Sequence, residues 1–86
     1  MQDKSKILYE SLSKVLTKLR QISGKNYLEF CDENSIATST YDNMINAKTK
    51  ATFYNVAKFV RGASLNFQEF GKLLDEQLPE SFWEED

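Results

Sequence analysis

The stretch from Asn26 to Ala47, NYLEFCDENSIATSTYDNMINA, constrains the fold more than any other part of the chain. Asn26 stands three residues before Glu29, the spacing of a capping box that satisfies the first free N–H groups of a helix. Phe30 and Cys31 give this helix a buried side, and Glu29, Asp32 and Glu33 a wet one. Asn34 and Ser35 interrupt the apolar pattern, and Ile36 re-enters the core. A second helix then places Tyr41, Met44 and Ile45 inward, with Thr38, Ser39, Asp42, Asn43 and Asn46 outside. Two short helices joined by a turn of about 3–4 residues form a helix-turn-helix.

Both flanks are helical by the same spacing. Leu8, Leu12, Val15, Leu16, Leu19 and Ile22 recur at intervals of three and four, which predicts one helix over about 5–23 with these residues on its inner stripe. Gly24 fits the left-handed position past its end. Thr52 caps a fourth helix whose apolar side is Phe53, Val56, Ala57, Phe59 and Val60, ending near 62–64. Asn66, again with a glutamate three residues on, caps a fifth with Phe67, Phe70, Leu73, Leu74 and Leu78 inward, and Pro79 closes it. Three glycines and one proline leave little scope for the turns of an all-β fold. The expectation is an all-α, five-helix bundle over residues 1–78, followed by an acidic tail with an aromatic pair at 79–86.

Composition narrows the function by exclusion. Without histidine, and with one cysteine, the usual metal-ligand sets and the Ser–His and Cys–His catalytic pairs are missing. The expectation is a protein that is not an enzyme and needs no metal or cofactor. The lone cysteine forms no internal disulfide, no apolar run approaches the roughly 20 residues that span a bilayer, and no signal-peptide core follows MQDKSK. A cytoplasmic location with no membrane partner follows. The net charge of −2 is divided unevenly. Residues 1–62 carry a surplus of four positive charges, whereas residues 63–86 carry Lys72 against seven carboxylates.

At this level of detail the chain resembles the lambda-repressor-like (Cro/CI, XRE) helix-turn-helix DNA-binding domains. The likeness runs without gaps from about Lys25 to Phe70, with the first helix also in register. It is strongest over STYDNMINAKTKATFYNVAKFVRGASLNFQEF. Cys31 stands where the family keeps a small residue so that two helices can approach. Ser35 takes the place of the usual turn glycine, where a left-handed backbone costs about 1 kcal/mol or more. Asn34, in place of a buried Leu, tolerates positive φ and is a second carrier of that turn. Ala37 occupies the usual N-cap and caps poorly, so that Thr38 or Ser39 would cap instead and shift the helix start.

The resemblance implies a sequence-specific regulator of transcription, a Cro/CI-type repressor that inserts its third helix in the major groove of double-stranded DNA and acts as a homodimer. Carried over by position, Thr38, Ser39 and Asn43 reach base edges, with Asp42 and Thr40 beside them. Asn pairs with adenine in bidentate fashion, the hydroxyls take either partner, and Asp accepts from cytosine. No Arg or Lys lies in that helix, so the guanine contact is missing and recognition should lean to A·T. Phosphate contacts fall to Lys48 and Lys50, to Asn46, to Tyr27 with the N–H groups opening its helix, and to Lys25 with Lys18 or Arg20 assisting. Phe82 and Trp83 either pack back on helices 1 and 5 or anchor the dimer. An alternative from another class is a protein of the same fold, accessory or antitoxin-like, that works through protein contacts, its acidic tail meeting a protein partner. The bland counterparts are a solvated lysine face, an ordinary polar helix side at Thr38, Ser39 and Asn43, and a purely structural Cys31.

Overall fold

The helix at the N-terminus, α1 (Lys4–Ser23), packs against every other element of the chain. The computed structural model describes residues 3–48 and 51–84. After α1 come α2 (Tyr27–Glu33), α3 (Thr38–Ile45), α4 (Phe53–Gly62) and α5 (Phe67–Gln77), and a 3₁₀ turn at Glu80–Trp83. Among the described residues there is no strand, so the fold is all-α. None of these helices is long and apolar enough to cross a membrane.

Caps set the boundaries. Asp3, Asn26, Thr52 and Asn66 each accept a backbone N–H from the first turn of the helix they precede, a contact that contributes about 1 kcal/mol. At Asn66 the box is reciprocal, because the Glu69 carboxylate takes the Asn66 N–H at 3.1 Å. Gly24 ends α1 at φ +74°.

The next three helices end alike, without glycine. Ser35, Ala47 and Ser64 take φ of 55°, 54° and 59°. Their N–H groups bond Asp32, Met44 and Arg61, and the following N–H groups bond Cys31, Asn43 and Val60. These are three Schellman motifs, each with a residue that has a Cβ in the left-handed position. Two expectations are thereby corrected. The left-handed turn residue is Ser35; Asn34 has φ −106°, and its side-chain amide instead donates to the Phe30 carbonyl at 2.8 Å. Ala37 is the N-cap of α3 with no side-chain bond, and neither Thr38 nor Ser39 replaces it. Ala37 is extended (ψ 139°), and Tyr41 N–H bonds its carbonyl, so the chain enters α3 correctly without a capping oxygen.

Leu12, Val15, Leu16 and Leu19 of α1 form the core with Phe30, Ile36, Tyr41, Met44, Val56, Phe59, Val60, Ala63 and Phe70. Phe59 stacks on Tyr41 (5.4 Å, 18°) and tilts against Phe30 (5.3 Å, 51°), so one aromatic group joins α2, α3 and α4. Three residues expected inside lie outside. Ile22 is 47% exposed, since the last turn of the 20-residue α1 outruns the much shorter helices that cover it. Phe53 and Phe67 are 72% and 49% exposed; each opens its helix, and the two stack on one another at 5.3 Å and not on the core. Gly62, by contrast, is forced by space. A Cβ there would stand 2.6 Å and 2.8 Å from the Asn34 amide and 2.8 Å from Cε1 of the fully buried Phe30.

Two substitutions test these constraints in opposite directions. Gly62→Ala should lower stability by about 1 kcal/mol or more, overpacking outweighing the gain in helix propensity. Ala47→Gly should raise stability by about 0.5–1 kcal/mol, relief of the left-handed strain exceeding the added freedom of the unfolded chain. Urea midpoints report both, and an unmoved midpoint for Gly62→Ala would contradict the close approach of α4 to α2.

Candidate functional site

The turn between α2 and α3 is held at three points. Ile36 is buried and its N–H bonds the Cys31 carbonyl at 2.9 Å. The Lys58 ammonium reaches across from α4 to donate to the Ser35 carbonyl at 2.8 Å. Asn34 is half-buried beside Gly62. Cys31 lies in the same packed corner, and burial pushes its thiol up, with the Asp42 carboxylate adding to the effect. A buried thiol of raised pKa is inert filler.

From that turn α3 presents one polar face. Thr38, Ser39 and Asp42 are exposed and Asn43 half-buried, while Tyr41 and Met44 of the same helix face the core. The four side chains therefore share one surface, as a 3.6-residue period requires. Ala37 supplies no capping oxygen, so the first N–H groups of α3 are left to the surroundings.

The other singled-out residues are placed less uniformly. Tyr27 leans its ring on Tyr41 (4.8 Å, 48°), and its hydroxyl lies 3.3 Å from the Asp42 carboxylate and 3.5 Å from the Thr38 carbonyl. It joins the α3 face, but its O–H is committed within the chain. Asn46 is exposed, and its amide donates back to the Asp42 carbonyl at 2.8 Å. Lys25 pairs with Glu33 across α2, and its carbonyl accepts from Arg20 at 2.9 Å, so it ties α1 to α2. Lys48 is exposed, with no ion-pair partner among the described residues, and its backbone N–H closes the end of α3. Lys50 lies outside the described residues. The 3₁₀ turn packs on α1; there Phe82 is half-buried, Trp83 is 67% exposed and the two rings meet edge to face at 4.9 Å. Among the described residues no group of three His, Cys, Asp or Glu is placed to hold a metal ion.

Sequence reasoning missed the bond between Tyr27 and Asp42 and the reach of Lys58 to the turn. No local signal reports either, because the partners are 15 and 23 residues apart. No protein-family model, curated protein or solved structure matches the chain.

The Tyr27 contact has a titration signature. Desolvation first, and then the Asp42 charge, raise the Tyr27 phenol above its ordinary value of 10.0, and burial does the same for Tyr41. The folded protein thus holds these protons longer than the unfolded chain, so stability should fall as the pH climbs past about 10. Alkaline absorbance titration should show a delayed component that Tyr27→Phe diminishes. Asp42→Asn should move the Tyr27 midpoint down, and a midpoint that stays put would remove Asp42 from the account.

Proposed function

We propose that this chain is a sequence-specific, double-stranded-DNA-binding regulator of transcription, most simply a repressor of the Cro/CI type in the lambda-repressor-like arrangement, with α3 entering the major groove. The observation that carries this reading is the pairing of a turn held at three points with a polar face of Thr38, Ser39, Asp42 and the half-buried Asn43 directly after it. A recognition helix presents polar side chains to base edges in the major groove, and the polar face of α3 is of that kind, without the Arg or Lys of the guanine contact.

In this reading Thr38, Ser39 and Asn43 meet base edges. Asp42, its carboxylate beside the Tyr27 hydroxyl, acts as an acceptor suited to cytosine. Lys48 and Lys50 contact phosphate. Lys25 serves the fold first, since its ammonium is paired with Glu33. A homodimer would read two half-sites about 34 Å apart.

One observation favours a second reading, in which the same fold works through protein contacts. The exposed face of α3 carries a carboxylate and no cation, and phosphate neutralisation supplies much of the affinity of DNA-binding proteins.

A salt titration separates the two. DNA from upstream of the protein's own gene should bind more tightly than a scrambled duplex, with affinity falling linearly on a log–log salt plot. Reversing Lys48 and Lys50 to Glu together should weaken binding to every sequence and flatten that slope by about 2. An unchanged slope would remove these lysines from the phosphate contacts, and no preference between the duplexes at any salt would favour protein contacts.

A further inference from the structure

Away from α3, a groove of about 540 Å³ runs along the junction of α4 and α5. Tyr54, Ala57, Leu65 and Phe67 supply apolar walls, and Lys58 and Arg61 line it too, with no carboxylate among the lining residues. Its rim is unusually aromatic for an exposed surface. Tyr54 is 72% exposed, and Phe67 continues the groove into Phe53 through their stacked rings. The Lys58 ammonium stands 4.6 Å from the centre of the Tyr54 ring, and Arg61 is exposed with no ion-pair partner among the described residues. With Lys58 bonded to the Ser35 carbonyl, the open cation is Arg61, and such a surface suits an aromatic side chain next to a carboxylate, since the rings bury its plane and the guanidinium meets its charge.

The chain itself carries that complement. Residues 79–86 read PESFWEED, and Trp83, its single tryptophan, is 67% exposed between Phe82 and Glu84. In its own molecule the turn at Glu80–Trp83 packs on α1, where the Lys4 ammonium donates to the Glu84 carbonyl. A tail tied to α1 offers its outward ring to a second molecule. The geometry points to self-association in which Trp83 of one copy enters the α4–α5 groove of another, with the Glu84 carboxylate beside it facing Arg61. Groove and tail are different patches, so a pair that closes on a two-fold axis would exchange two identical contacts, and one that does not close would go on adding copies. Each buried tryptophan covers roughly 150–250 Å², which leaves the pair short of the roughly 1,200 Å² of stable complexes. The association is therefore weak, concentration-dependent and salt-sensitive. It concerns the protein alone and stands or falls independently of DNA binding.

Trp83 is its own reporter. As the concentration of the intact chain is raised at low salt, its emission should shift to the blue while the sedimentation-derived mass climbs toward two chains, and added salt should reverse both. Trp83→Ala should leave circular dichroism intact and abolish the rise in mass. Arg61→Glu should weaken association at least about tenfold, and combining it with Glu84→Arg should recover most of the loss. An emission and mass that never change with concentration would overturn the proposal, as would association that survives Trp83→Ala. Association lost in Arg61→Glu but not regained in the double variant would separate Glu84 from Arg61 and overturn the pairing. A wild-type chain that stays monomeric while the groove takes up an unrelated acidic peptide would assign the groove to another protein instead.

Discussion

The packing of Phe59 against Phe30 and Tyr41 is the interaction on which the rest of the molecule depends. These three rings come from three helices, and they set how α2 and α3 sit on α4 before any polar contact has a role. Removing a fully buried phenylalanine ring typically costs about 3–5 kcal/mol, against a total stability of roughly 5–15 kcal/mol for a domain. The hydrogen bonds of the α2–α3 corner are smaller, about 1 kcal/mol net for a neutral pair and about 1.5–3 kcal/mol at most where the Lys58 ammonium donates. The polar contacts therefore tune an angle that the aromatic group has already fixed. Gly62, one helical turn beyond Phe59, keeps α4 close enough for the arrangement to hold.

That core also carries the cost of the chain's endings. Ser35, Ala47 and Ser64 hold a left-handed backbone without being glycine, at about 1–2 kcal/mol each. Side-chain caps at four helix starts return a comparable sum, about 1 kcal/mol apiece. Local terms at the ends thus nearly cancel, and the net stability rests on burial. At Ser35 the strained residue has a further partner, because its carbonyl receives Lys58 from α4. The turn is thus tied to α4 by a side chain as well as by the buried Ile36, and α3 starts from that junction although its cap at Ala37 has no side-chain bond.

The helices themselves were legible in the sequence, because caps and apolar spacing are local signals. Asn26, Thr52, Asn66 and Gly24 mark their boundaries in the structure, as the residue types predict. What the spacing does not convey is how far a neighbouring helix extends. Ile22, Phe53 and Phe67 all lie on the expected stripes and are still exposed, since each sits at a helix end where cover runs out. The turn illustrates a different gap. Asn is the commoner left-handed residue, yet bonding its amide to the Phe30 carbonyl keeps Asn34 at negative φ and passes the strain to Ser35. For the candidate site, the grouping of Thr38, Ser39, Asp42 and Asn43 on one face was readable from the period, whereas the internal partners of Tyr27, Asn46 and Lys25 depend on contacts distant in sequence or on side-chain direction.

Those partners redistribute the charge that a partner molecule would meet. Counting lysines along the basic body overstates it, because Lys25 is paired with Glu33 and Lys58 is spent on the turn and the Tyr54 ring. Lys48 stands at the end of α3 in a shallow depression shared with Asp3, Lys6 and Glu10 from the start of α1, where Lys6 and Glu10 already pair at 3.8 Å. Fields reach only about 8 Å at physiological salt, so this local balance outweighs the surplus of the whole body. A DNA-binding role would then draw its affinity from few cations and its selectivity from shape and hydrogen bonding at α3. Such a molecule binds one duplex weakly by itself, and pairing two copies would multiply the effective strength without a new contact to DNA.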